Sequence, residues 1–140
     1  MISQGVTITA RCDACGGVLT RDVGQFIDRG RLRWGTEGAC RSCTVAWCDR
    51  SSGSETPEEI RQALLSEHGP VRLRLIGPGT NPVAVLRALR EVNGLSLTEA
   101  KAMAGELKTA GLVGTLVEME FVAARLRQRA VRVAVETSPC

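Results

Sequence analysis

Histidine is almost absent from this chain: His68 is the only one in 140 residues, and tyrosine does not occur at all. A hydrolytic triad needs an imidazole oriented by an acid and set beside a serine or cysteine nucleophile. His68 follows Leu64-Leu65-Ser66-Glu67 with no such motif around it. It falls at the expected C-terminus of a helix, where a cation is favoured, and that accounts for it without catalysis. No glycine-rich loop ends in Lys-Ser or Lys-Thr, and Gly77-Pro78-Gly79 lacks the pattern that cradles phosphate. No stretch approaches the ~20 apolar residues of a membrane-spanning helix. The opening MISQGVTITAR has no basic segment followed by an apolar run, as a secretory signal would. The 18 basic and 15 acidic residues are dispersed, for a net charge of +3. The expectation is a protein that is not an enzyme, has no membrane partner and works in the cytoplasm.

What the chain does have is cysteine, concentrated at one end. Five of the six cysteines fall in residues 1–50. Cys12-x2-Cys15 and Cys40-x2-Cys43 are two knuckles with 24 residues between them, a spacing that suits one tetrahedral four-cysteine zinc site. Each pair offers two sulfurs from a tight turn, and Gly16-Gly17 allows a left-handed backbone there. Val6-Thr7-Ile8-Thr9 alternates into the first knuckle, Arg31-Leu32-Arg33-Trp34 approaches the second, and Thr44-Val45-Ala46-Trp47 leads away from it. Together they predict a zinc ribbon. Disulfides are the competing reading, but CxxC pairs in a reducing compartment favour metal. With four sulfurs no position is left for water, so the zinc is expected to be structural. Cys48 is left over, expected as a buried small hydrophobe, and Cys140 in a 137–140 tail is expected to carry no function.

A polar stretch, Asp49-Arg50-Ser51-Ser52-Gly53-Ser54, reads as a linker. Thr56-Pro57-Glu58-Glu59 then announces a helix, with Thr56 as cap, proline in the first turn and acids at the positive dipole end. Ile60, Leu64 and Leu65 give it an apolar face. Residues 51–69 are thus a linker and helix between a ribbon at 1–50 and a second domain at 70–136.

That second domain starts with Val71-Arg72-Leu73-Arg74-Leu75-Ile76, alternating as a half-buried strand. Asn81 and Pro82 cap a helix through Val83, Val85, Leu86 and Leu89, and Asn93-Gly94 stops it. Ser96 with Glu99, and Thr115 with Glu118, form capping boxes for two more helices. Leu116, Met119, Val122 or Ala123, and Leu126 mark one face of the last. Val131, Val133 and Val135 read as a closing strand. The predicted class is α+β, with a β-α-α-α-β order in this half.

The segment NPVAVLRALREVNGLSLTEAKA, residues 81–102, resembles the C-terminal domain of the bacterial ribosomal stalk protein, the seven/twelve protein of the large subunit. The run VAVLRALRE followed by GLSLTEAK is similar to that family's helix–turn–helix. The resemblance covers residues 70–136 and implies the family's small α+β fold. It also implies a face for translation GTPases, carried by Val83, Leu86, Arg87 and Arg90 on the first helix and by Ser96, Leu97 and Lys101 on the second. Two positions depart from the family: Pro82 stands where it has lysine, and Ser96 where it has glycine. Five cysteines take the place of the stalk protein's helical dimerisation segment and hinge, so the chain is expected to borrow the factor-facing domain rather than to be the stalk protein.

A small apolar patch rimmed by cations suits a protein partner with an acid-lined groove, here a translation GTPase or the ribosome. Nucleic acid is the weaker partner for the ribbon. Arg11, Arg21, Arg29, Arg31, Arg33 and Arg41 surround the knuckles near Trp34 and Trp47, but residues 1–55 hold seven arginines against six acids. That balance is far from a basic nucleic-acid footprint. Fold does not fix function, so an immunity, antitoxin or protease-adaptor role stays open beside translation. Sixteen arginines against two lysines, with no tyrosine, suggest a high-GC bacterium.

Overall fold

The computed structural model describes residues 2–53 and 55–137. Cys140 and the rest of the expected tail beyond Thr137 lie outside the described residues. The chain is α+β, with four helices and two antiparallel sheets among the described residues, and it divides into two compact units, Met1–Glu67 and His68–Cys140.

The first unit is a four-stranded meander, β1 (Ser3–Arg11), β2 (Val18–Asp28), β3 (Arg31–Cys40) and β4 (Ala46–Ser52), with α1 (Glu58–His68) on one face. Arg29 and Gly30 join β2 to β3 with φ of 51° and 73°, as a two-residue hairpin of primed type requires. In register, Val6 pairs with Val23 and Gln25 with Trp34, so side chains of one parity share the α1 face. Val23, Ile60 and Leu64 are buried there, with Val6, Ile8, Trp34 and Ala63 packed around them.

β2 carries no clear strand signature in the sequence, because its inner positions are not uniformly apolar. Leu19, Val23 and Ile27 alternate with Arg21 and Gln25, and both polar side chains are satisfied by the helix segment. Arg21 pairs with Glu59, and Gln25, fully buried, donates from Nε2 to the Thr56 hydroxyl at 2.7 Å. Thr56 is therefore not the helix cap expected of it. The first turn closes instead on the Pro57 carbonyl, which accepts from Ile60 and Arg61 N–H at 3.1 Å each. Ser51 and Ser52, expected in the linker, continue β4 opposite Trp34 and Arg33.

The second unit contains β5 (Val71–Leu75), α2 (Pro82–Asn93), α3 (Leu97–Lys108), β6 (Leu112–Gly114), α4 (Leu116–Gln128) and β7 (Val133–Thr137), with sheet order β6-β5-β7. The strand β6 adds to the expected β-α-α-α-β order. At three residues, and ending in glycine, it is too short for alternation to reveal. Asn81 accepts the Val83 and Ala84 N–H groups, Gly94 stops α2 at φ 61°, and Ser96–Glu99 and Thr115–Glu118 make reciprocal capping boxes. Among the described residues thirteen buried side chains form the core here, including Leu73, Val85, Ala88, Leu89, Leu107 and Leu126. α4 buries more than the expected stripe, because Val117 and Phe121 are also covered.

Candidate metal centre

A meander of four strands puts its first and third turns at the same end of the sheet, and β2 and β3 are neighbours. The Cys12–Cys15 turn joins β1 to β2, and the Cys40–Cys43 turn joins β3 to β4. Chain topology therefore brings the two knuckles together across 24 residues of sequence. Each is closed by its own backbone. Cys12 N–H donates to Gly17 O and Gly16 N–H to Cys12 O, both at 2.8 Å, and Cys40 N–H donates to Val45 O at 2.9 Å.

The four sulfurs all lie within 4.8 Å of one another. Cys12 Sγ is 3.8 Å from Cys43 Sγ, and Cys15 Sγ is 3.4 Å from Cys40 Sγ. These distances are too long for a disulfide, whose sulfurs stand about 2.05 Å apart. They match the edge of a tetrahedron around a metal with bonds of about 2.3 Å to sulfur, which is about 3.8 Å. The four cysteines could hold a metal ion. Cys12 is buried, Cys40 and Cys43 are half-buried and Cys15 is exposed.

The thiols of this group shift one another's ionisation. The Ser42 N–H, 3.3 Å from Cys40 Sγ, heads the influences that bring that thiol down to about 6. At Cys15 the Gly17 N–H at 3.4 Å pulls down as well. The neighbouring Cys40 thiol, burial, Cys43 and Cys12 outweigh it, and the thiol is pushed up to about 12. Cys43 is also raised: the Val45 N–H lowers it, but burial and the Cys40 and Cys12 thiols prevail. Closely packed thiols resist joint ionisation, and a coordinated metal removes that obstacle.

Gly16 has φ +73°, as a left-handed turn position requires, but Gly17 is glycine for a different reason. A Cβ at Gly17 would stand 2.7 Å from Ser42 Oγ and 2.9 Å from Ser42 Cβ, so the knuckles meet through the missing side chain. That contact has no signature in local sequence. Cys48, expected to be buried, is exposed on β4 opposite Glu37. It lies outside the cluster because β4 has by then run five residues away from the knuckle.

The residues expected on the partner face are on α2 and α3. Val83 is 54% and Leu97 48% exposed, Leu86 is half-buried, and Arg87, Arg90, Ser96 and Lys101 are exposed. On α2, Val83, Leu86, Arg87 and Arg90 fall within ~100° of one another around the helix axis, opposite buried Val85, Ala88 and Leu89. Leu97 and Lys101 share a face of α3 at i, i+4. Two of the seven also have local structural tasks. Arg90 Nε donates to Leu95 O at 3.1 Å across the α2–α3 turn, and the Ser96 hydroxyl accepts the Glu99 N–H at 3.1 Å.

Fold and site together define a two-unit α+β protein with a four-cysteine metal-type cluster at one end of an antiparallel sheet. Searches of protein-family profiles, curated proteins and solved structures find no match to this chain. Among the described residues, no helix is long and apolar enough to cross a membrane.

Proposed function

We propose that this is a zinc-stabilised, non-catalytic binding protein of the cytoplasm, whose second unit engages the translation machinery as a stalk-type domain does. The observation that carries this reading is the outer face of α2 and α3, where exposed Val83 and Leu97 lie among the cations Arg87, Arg90 and Lys101. Large exposed aliphatic side chains beside three cations, with Glu91 at the far edge near Arg87, suit a partner groove that is apolar at its floor and acidic at its rim. Charge along the chain supports the same reading. Residues 1–67 hold eight arginines against nine acids, and residues 68–140 hold eight arginines and two lysines against six acids. The whole positive excess belongs to the second unit, which leaves the ribbon poorly suited to nucleic acid.

Zinc is the metal this donor set fits best, because four thiolates in tetrahedral array satisfy it without an open position. Cys12, Cys15, Cys40 and Cys43 would hold it, and its contribution would be structural.

Co-sedimentation with ribosomes, and pull-down of purified translation GTPases from the host, test the partner. Arg87→Glu with Lys101→Glu should weaken association about tenfold or more, as reversed charges do at a complementary rim. Arg90 is left intact because it braces the α2–α3 turn. Association unchanged in that variant would remove this face from the interface.

A further inference from the structure

The open face of the first sheet, opposite α1, has a floor of three glycines. In register, Gly5 of β1 faces Gly24 of β2, and Gly24 faces Gly35 of β3. Glycine inside a strand is unfavourable by about 0.5–1 kcal/mol relative to alanine, and three in one row call for a cause. Backbone conformation is not the cause, since none of the three has positive φ. Internal space does not explain Gly5 or Gly24, where a Cβ would come no closer than 3.4 Å to its neighbours. Gly35 is different: a Cβ there would stand 3.2 Å from Asp49 O and 3.4 Å from Arg50 Cγ, so close approach of β4 already favours glycine. What a side chain would obstruct is the space above the sheet. Glycine in a strand marks such a place, where a ligand or another chain comes close to the backbone.

That space is a trough of about 470 Å³. Asp22 and Phe26 form its two sides on β2, about 13 Å apart at four residues' rise. On one side Asp22 sits directly opposite Glu37, and two like charges facing each other across strands repel. Neither Asp22 nor Glu37 has an ion-pair partner among the described residues, although the Thr7 hydroxyl donates to Asp22 Oδ1 at 2.5 Å. On the other side Phe26 carries the Arg33 guanidinium 5.9 Å from its ring centre, and Arg33 is itself paired with Asp28 at 3.3 Å. Among the described residues of the lining the one cation is Arg50, which continues the row at its β4 end, opposite Gly35.

We propose that this trough is a docking site for an extended cationic segment of a partner protein, with an arginine or lysine side chain laid over the glycine floor against Asp22 and Glu37. The occupant's charge would relieve the repulsion between the two carboxylates, and its aliphatic stem would run over bare backbone. This surface belongs to the first unit and does not depend on the role of α2 and α3.

The test uses the full metal-loaded chain and a fluorescein-labelled peptide of alternating glycine and arginine, read by fluorescence anisotropy. Its glutamate counterpart is the control. Gly24→Val, which fills the floor with a strand-favouring residue, and Asp22→Asn with Glu37→Gln should each weaken binding by about tenfold. Glu106→Gln, in the second unit, should leave it unchanged. Thermal melting and metal content check that each variant is folded, and Gly24→Ala replaces Gly24→Val if the latter is not. Wild-type affinity in a folded floor variant would overturn the proposal and assign the glycines to sheet curvature. Equal binding of the glutamate peptide, or equal loss in Glu106→Gln, would overturn it as non-specific adhesion.

Discussion

Gly17 shows how much one absent atom decides. The two knuckles close on each other because Ser42 occupies the place where a Gly17 side chain would be. Gly17→Val should therefore push the knuckles apart and weaken metal binding, by about ten- to a hundredfold if the effect equals that of a lost outer-shell contact. A competition titration against a chromophoric chelator measures it, and affinity equal to wild type would show that the knuckles tolerate separation. Gln25 and Thr56 are a second case at this scale. A fully buried amide in a strand would be costly without a partner, and the Thr56 hydroxyl 31 residues away supplies one. Read alone, Thr56 before Pro57 looks like a cap, and nothing local shows that its hydroxyl is needed elsewhere.

Helix ends decide the elements of the second unit. The Ser96 N–H donates to Glu99 Oε1 at 3.1 Å, and the bond to this backbone group holds the carboxyl below its ordinary 4.5. The Glu91 carboxyl is also lowered, chiefly by its hydrogen bond from Arg129, which links α2 to the end of α4. A carboxyl with a depressed folded pKa stabilises the protein above its unfolded value and loses that contribution as pH falls through the folded one. Stability of the second unit should thus be level above pH 4.5 on account of these groups and decline below it. Glu99→Gln should flatten part of the decline, as followed by thermal melting across an acid series. An unchanged pH profile would show that the capping box carries no charge-dependent stability. These caps were legible because a capping box spans four residues and needs no distant partner. β6 was not legible, since its identity comes from pairing with β5 (Leu112 opposite Leu73) and not from its own three residues.

Across the whole molecule, the two units differ in the size of their cores. Among the described residues thirteen buried side chains make the second unit's core, whereas the cluster under α1 has three, and a sheet with so small a core needs another source of stability. Metal at a four-cysteine site supplies on the order of 10–16 kcal/mol in small domains. Chelation should therefore unfold Met1–Glu67 and leave the fold of the second unit intact, as two-dimensional amide spectra would show by loss of one set of dispersed peaks. Joint loss of both sets would mean that the units share their stability. The same comparison explains why α1 reads as a connector in the sequence yet belongs to the first unit. Its Ile60 and Leu64 complete a core that β1–β4 leave open.

The four-cysteine cluster, the caps of α2, α3 and α4, the α+β class and the cations on the outer face of α2 are all legible in the order of residues. Each of these depends on spacing within a turn or two of chain, or on residue chemistry that needs no partner to be recognised. Tertiary structure alone decided that Gly5, Gly24 and Gly35 form one row, that Asp22 faces Glu37, that Gln25 is satisfied by Thr56 and that Gly17 makes room for Ser42. Those relations are set by strand register and by packing between elements tens of residues apart, and cross-strand neighbours leave no period in the sequence from which they could be read.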